Sequence, residues 1–260
     1  MNENRPLISV VTACYQAEEY LEQCIQSVVG QVFDDFEYIV IDGASRDGST
    51  AIIDRYRDHI AYTHSRPDRG IADAFNQGLA HAHGRWIVFL NADDCYVDQH
   101  VLSSVAETLL QNDGVDLVYG QMQVIKRQDA IVPVSGVVGD TWNWNEFRLR
   151  SMIPHPASFT HCSYFEKYGT FDETFRNALD YELYLRAGSD LKVVFVPRML
   201  AWMRDGGMSK HSAYRSFRES KDAQIKHHVY GKVMANVIYL AYVGRIILSR
   251  LLLRCHGNKG

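Results

Sequence analysis

The stretch RWIVFLNADD, residues 85–94, carries an apolar run straight into an asparagine and two adjacent aspartates. A short continuous apolar run with polar ends reads as a strand buried on both faces. Two neighbouring carboxylates repel each other unless a positive charge lies close by. The stretch therefore predicts a strand at 85–91 whose carboxyl end presents Asn91, Ala92, Asp93 and Asp94 to something cationic. In open α/β sheets, ligands bind at that end of the strands.

The flanking sequence repeats the pattern. LISVVTA (7–13), FEYIVID (36–42), residues 60–64 and VDLVYG (115–120) read as further strands. Between them, residues 18–31, 49–58, 71–83 and 101–111 have the spacing of amphipathic helices; Leu21, Cys24, Ile25 and Val28 fall on one face. Strands alternating with helices predict the α/β class, with a mostly parallel central sheet flanked by helices. Asp42 and Asp93, each at a strand end, should then share one rim of the sheet. The pattern loosens over 126–150. Helices at 162–168 and 180–187 and a strand at 192–197 complete a body expected to span 1–205.

Charge is divided along the chain. Residues 1–205 hold 17 Lys/Arg against 29 acids, and residues 206–260 hold ten against two, within a net charge of −4. An acidic body argues against nucleic-acid binding, and the basic tail suits an anionic surface. Residues 212–230 read as a polar basic helix. Residues 233–254 are apolar but interrupted by Asn236, Arg245, Ser249 and Arg250, too broken to span a bilayer. An in-plane amphipathic helix making peripheral membrane contact fits better; packing on the body or on a second subunit is the alternative, and a homo-oligomer is compatible with it. The five cysteines form no CxxC pair, and the first residues lack a signal-peptide pattern. Both point to the cytoplasm, at the inner face of the cell membrane.

No Gly-rich phosphate loop of the GxGxxG or GxxxxGK[ST] kind is present. A nucleotide diphosphate can instead be held through Mn²⁺ or Mg²⁺, which take oxygen ligands from one or two carboxylates and the phosphates. Asn91–Asp94 offers such ligands, although Asn and Asp are also common turn residues.

Three segments together, ISVVTACYQAEEYLEQCIQSVVGQ, FEYIVIDGASRDGST and RPDRGIADAFNQGLAHAHGRWIVFLNADD, resemble the family 2 glycosyltransferases, and FDETFRNALDYELYLRAG (171–188) continues the likeness. It is strongest to bacterial polysaccharide-biosynthesis transferases of the colanic-acid or O-antigen type. The resemblance implies a GT-A nucleotide-sugar-binding fold and metal-dependent, inverting hexosyl transfer from a nucleotide sugar, UDP above all, to a saccharide or lipid-linked saccharide. It also implies residue roles. Thr12 and Tyr15 would line the base and ribose site, and Asp42 would accept a hydrogen bond from uracil. Many members carry a second acid where this chain has Gly43. Asn91-Ala92-Asp93 takes the place of the Asp-x-Asp motif, with Asp93 on the metal and Asn91 toward the ribose. Phe75 stands where many members have an arginine that meets the diphosphate, leaving Arg66 or Arg69 for that task. Asp68, Asp73 and Asn76 belong to the donor side. Asp180 would be the base that removes the acceptor proton, with Glu182 and Asp172 in reserve. His155 and Glu182 fall on the acceptor side, as do residues 205–209, whose glycines suit a lid over the diphosphate, and His211 is a second candidate metal ligand. Two other readings stand beside this one. A nucleotidyltransferase should carry a Gly-rich, lysine-containing first loop, which TACYQAEEY lacks; a catalytically degenerate scaffold would explain Gly43, Phe75 and Asn91.

Overall fold

The computed structural model describes residues 5–126, 131–205 and 213–257. Its first half alternates as expected: β1 (Ile8–Cys14), α1 (Leu21–Val29), β2 (Phe36–Asp42), α2 (Ser49–Arg55), β3 (Tyr62–Ser65), α3 (Ile71–Leu79) and β4 (Trp86–Asn91). Three helices are shorter than the periodicity suggests, and for α1 and α3 the reason is identifiable. Before α1, the amides of Ala17 and Glu18 donate to Ser49 Oγ and Asp47 Oδ2, so residues 17–20 form a turn tied to the next loop. After α3 the chain must close on β1, where Gly84 N–H donates to Ser9 Oγ. A Cβ on Gly84 would collide with the Ser9 backbone.

The second half is less regular: β5 (Cys95–Tyr96), α4 (Val101–Gln111), β6 (Leu117–Ile125), β7 (Pro133–Val138), α5 (Trp144–Phe147), β8 (Ser158–His161), α6 (Cys162–Tyr168), α7 (Leu179–Leu185) and β9 (Val193–Arg204). Helices α8 (Ala213–Lys226) and α9 (Lys232–Gly257) follow. The sheet runs β3-β2-β1-β4-β8-β6-β9-β5, with β7 on β6. Strands β1 to β4 are mutually parallel, and β6 is parallel to β9. β8 is wedged antiparallel between β4 and β6. The sheet is thus mostly parallel, with antiparallel strands where a short segment inserts.

Successive side chains of β1 face opposite layers. Val10 joins Ile25, Val40, Val88 and Leu102 on the α1 and α4 side, while Val11 joins Ile41, Phe75, Phe89 and Tyr181 on the α3 and α7 side. Burial of each such side chain contributes roughly 1.5–3 kcal/mol. The basic tail does not begin as a separate appendage. Glu219 of α8 accepts the backbone N–H groups of Arg176, Asn177 and Ala178 just before α7. Gln224 of α8 donates to Tyr181 Oη at 3.0 Å and to the Arg148 carbonyl at 3.1 Å. Residues 206–212, with His211 and the glycines expected to form a lid, lie outside the described residues.

Candidate active site

Parallel pairing brings three strand ends to one edge: Ala13 lies opposite Asn91, and Cys14 opposite Asp42. Above that edge opens a cavity of about 1420 Å³, closed on the far side by residues 149–155, the start of α7, and α8 and α9. It is larger than the roughly 300–1,000 Å³ of a single small-molecule pocket, which leaves room for two substrates. Tyr15, Asp68, Asn91, Ala92, Asp93, His155 and Asp180 all line it.

The opening stretch resolves into unequal partners. Asp93 lies on the cavity wall. Asp94 is buried, and its carboxylate accepts Asn91 Nδ2 at 3.0 Å and the Arg204 amide at 3.2 Å. Burial first, then the charge of Asp93, pushes the Asp94 carboxyl well above the usual carboxylate range. The nearby cation is Arg204, the last residue of β9, which also lines the cavity and is only 3% exposed. Its guanidinium lies over the Tyr20 ring, 4.3 Å from the centroid, and donates to Gln23 Oε1. Nε and Nη1 are enclosed with no hydrogen-bond partner. A buried guanidinium with unused donors is costly unless an anion meets it. Sequence reasoning missed this residue, because an arginine at a strand end reads as surface.

Asp180, also on the cavity lining, sits in the first turn of α7, its Oδ1 accepting the Tyr181 amide at 2.7 Å. Ala178 precedes the helix as its cap residue, so Asp180 does not cap it. Oδ2 lies 4.0 Å from His155 Nδ1, both side chains being 17% exposed. Burial raises the Asp180 carboxyl above its ordinary value, opposed by His155 and by the Tyr181 N–H. Burial lowers His155, keeping its ring neutral near pH 7. The ring packs on Phe75 at 5.3 Å, and its Nε2 is buried without a partner. The phenyl group at position 75 thus seats the histidine that faces Asp180.

Several expected site residues are engaged in the scaffold instead. Thr12 is fully buried beneath the edge, where its hydroxyl accepts Tyr38 Oη at 3.1 Å; β1 turns that side chain toward α1. Asp42 is likewise buried and accepts the Ser45 amide and the hydroxyls of Ser45 and Ser65. Ser45 Oγ also accepts the Gln16 amide, so Asp42 organises the rim without standing on the cavity lining. Asp68 supplies a carboxylate there: a Cβ on Gly43 would collide with Asp68 Oδ2, whose carboxyl fills the space a side chain at 43 would take. Arg69 is held by Asp73 and Glu173, and Asp73 is saturated by that clasp. Arg66 is exposed and off the cavity lining. Asn76 clamps the Phe171 backbone through both its amide atoms.

Glu182 is also a structural residue. It is fully buried and accepts hydrogen bonds from Arg186 at 2.6 Å, Lys226 at 2.6 Å and His227 at 2.7 Å. Asp172 completes the cluster through Lys226. Burial alone would raise the Glu182 carboxyl, but His227, Arg186 and Lys226 outweigh it and bring it down to about 2. Its stabilisation is therefore full above about 4.5 and is lost as pH falls toward 2. Glu182→Ala should cost about 3 kcal/mol in urea unfolding at pH 7, since it strands buried cations. Unchanged stability with lost acceptor binding would return Glu182 to the acceptor site.

The strand end has the oxygen donors of a cation site. Asp93 offers a carboxylate, and Asn91 Oδ1 is a buried acceptor with no partner. Among the described residues, no group of three His, Cys, Asp or Glu could hold a metal alone. Two oxygens suit Mg²⁺ or Mn²⁺ when substrate phosphates supply the remaining ligands. The residues present therefore fit a cation that arrives with a diphosphate.

Comparison with known proteins agrees with this fold. Mannosyltransferase PcManGT from Pyrobaculum calidifontis, solved with GDP-Man and Mn²⁺, shares the fold with a TM-score of 0.68 at 18% identity, over 99% of this chain and 77% of that one. S. aureus TarS 1–349 in complex with UDP-GlcNAc superposes with a TM-score of 0.66 at 16% identity, over 92% and 72%. An uncharacterized glycosyltransferase of Mycobacterium tuberculosis is 31% identical over 79% of this chain and 78% of its own length. A PGL/p-HBAD biosynthesis glycosyltransferase of Mycobacterium bovis is 27% identical over 73% and 72%. The profile of glycosyl transferase family 2 matches residues 9–179, and the chain, with its GT-A fold, belongs to that family.

Proposed function

We propose that this protein transfers one sugar, with inversion, from a nucleotide-diphosphate sugar to a hydroxyl of a saccharide or lipid-linked saccharide in the synthesis of a bacterial surface polysaccharide. The observation that carries this reading is the shared cavity, which Asp93, Arg204, Asp180 and His155 all line. UDP is the favoured carrier, in line with the UDP-GlcNAc bound by S. aureus TarS. The Mn²⁺ of the mannosyltransferase complex supports a divalent cation at Asp93 and Asn91.

The chemistry follows from the groups present. The donor diphosphate lies between Asp93 and the Arg204 guanidinium, with Tyr15 and Asp68 toward the nucleoside. A divalent cation, when bound, neutralises charge on the diphosphate as it leaves. The acceptor hydroxyl attacks C1 of the sugar from the opposite side. Its proton passes to the Asp180 carboxylate, the bond from C1 to the phosphate oxygen breaks, and the nucleotide diphosphate departs with that electron pair. Arg204 offers two unpartnered nitrogens, Nε and Nη1, to the charge that develops there. No covalent intermediate is required, so the anomeric configuration inverts. His155 lies 4.0 Å from Asp180, and burial, by keeping its ring neutral, leaves Asp180 as the charged group of the two.

The outer face of α9 supports peripheral membrane contact. Val233 is 81% and Leu240 63% exposed, with Met234 and Val237 between them on one stripe. No helix among the described residues is long and apolar enough to cross a membrane. An exposed apolar stripe in a basic segment suits an in-plane position on an anionic surface.

A panel of nucleotide sugars, scored by thermal stabilisation and by slow hydrolysis with and without Mn²⁺, tests the reading. One donor at about a hundredfold over its Kd should add about 2.7 kcal/mol to stability, and more with Mn²⁺ present. A panel in which no nucleotide sugar stabilises the protein or is hydrolysed would sink the proposal.

A further inference from the structure

The family profile ends at residue 179, yet the cavity is closed by helices beyond it. Phe217 and Lys221 of α8 and Tyr239, Tyr242 and Arg245 of α9 all line it. Phe217 and Tyr242 stack with ring centroids 5.0 Å apart and planes 9° from parallel. Lys221 Nζ lies 5.4 Å from the centre of the Tyr239 ring. These side chains form an aromatic shelf edged by two cations.

The charges of the cavity differ by element. Its carboxylates, Glu19, Asp68, Asp93, Asp94 and Asp180, stand on the strand-end loops and the start of α7. Its cations are Arg204 at the end of β9, Arg150 and Arg176 on the loops before α7, and Lys221 and Arg245 on the tail helices. Among the described residues, the ion pair that Lys221 makes is with its chain neighbour Asp222, at 3.4 Å, a contact of little strength. Arg245 makes no ion pair among the described residues. A neutral acceptor would have no use for this basic side. The same helix that carries Tyr239 and Arg245 inward shows Val233, Val237 and Leu240 outward.

We propose that α8 and α9 form the acceptor subsite for a phosphate-bearing glycolipid, with Tyr239 and Tyr242 against a sugar ring and Lys221 and Arg245 on the phosphate. Aromatic faces suit the apolar face of a pyranose, and lysine and arginine suit phosphate oxygens. The tail helices thus act as a selector: the outer stripe receives the hydrocarbon and the inner shelf reads the headgroup. The inference rests on the transferase reading above and names the acceptor class that it leaves open.

Co-sedimentation of the full chain with three kinds of vesicle tests it: phosphatidylcholine alone, with phosphatidylglycerol, or with a polyprenyl phosphate. The parent chain should favour the polyprenyl phosphate vesicles over both others. Lys221→Ala with Arg245→Ala should weaken that binding at least about tenfold, since charge-assisted hydrogen bonds to phosphate are lost. Calorimetric affinity for the nucleotide-sugar donor should stay as in the parent, and Lys221→Arg should retain vesicle binding. Val237→Asp should reduce binding to every vesicle type. Equal binding of the double variant and the parent, or equal binding of the parent to phosphatidylglycerol and polyprenyl phosphate, would overturn the subsite while donor affinity keeps the transferase reading intact. A parent chain that binds no nucleotide sugar would remove both.

Discussion

Asp180→Asn should lower kcat by about 10²–10⁴-fold, the contribution expected of a positioned general base. Donor affinity should be unchanged, because Asp180 lines the cavity from the first turn of α7, a different element from those that carry Asp93 and Arg204. Asparagine keeps the shape of the side chain and can still accept the Tyr181 amide that Asp180 now accepts. What it removes is a proton-accepting charge. The structure also sets the sign of two accompanying effects. Burial holds the Asp180 carboxyl above 3.8. The acid limb of the parent's kcat/KM profile should therefore lie above that value, with activity lost as pH falls through it. A carboxyl raised on folding stabilises the fold only while protonated and weakens it once ionised. Asp180→Asn should consequently leave stability at pH 7 equal to or higher than the parent's. Loss of activity with a gain in stability is the pattern of a residue kept for function. Parallel loss of both would instead mark Asp180 as a structural member of α7. Turnover equal to the parent's would take the base role away from it altogether.

The parts of this molecule legible in sequence are those whose signal is local. β2 at 36–42, α4 at 101–111 and α6 at 162–168 coincide with their apolar runs and helical spacings. β8 was not legible: SFTH is four residues long with polar ends, and becomes a strand only because β4 and β6 bracket it. β9 runs on past Pro197 to Arg204 because β6 stays beside it through two register shifts. The same division governs the site. Asp93 and Asp68 could be placed at the rim because strand ends and loops are readable. Thr12 could not be separated from its neighbours, since β1 is buried on both faces and alternation carries no sign of which side meets a ligand. Glu182 reads as a helix acid beside the expected base; its true partners, Lys226 and His227, lie more than forty positions along the chain. Where a charge finds its partner through tertiary packing, local pattern gives the residue and withholds its role.

Arg204 is the sharpest case, and its removal is the second large effect expected. Arg204→Met should lower kcat by about 10²–10³-fold, as loss of a fixed donor to developing negative charge does elsewhere. Affinity for the nucleoside diphosphate should fall about tenfold or more, since a hydrogen bond to a charged group contributes roughly 1.5–3 kcal/mol. Lysine should restore little, because a point charge lacks the planar fork and sits differently over the Tyr20 ring. A competing explanation is at hand: the guanidinium stacks on Tyr20, donates to Gln23 and eases the charge of buried Asp94. The two accounts differ in the ligand-free protein. If Arg204 serves the fold, Arg204→Met should unfold at lower urea concentration whatever ligand is present. If it serves the diphosphate, the methionine replaces a buried cation whose Nε and Nη1 have no partner. Ligand-free stability should then hold or rise, and only the added stability conferred by UDP should shrink. Comparing urea midpoints with and without UDP for the two proteins decides the matter, because the two accounts assign opposite signs to the ligand-free difference.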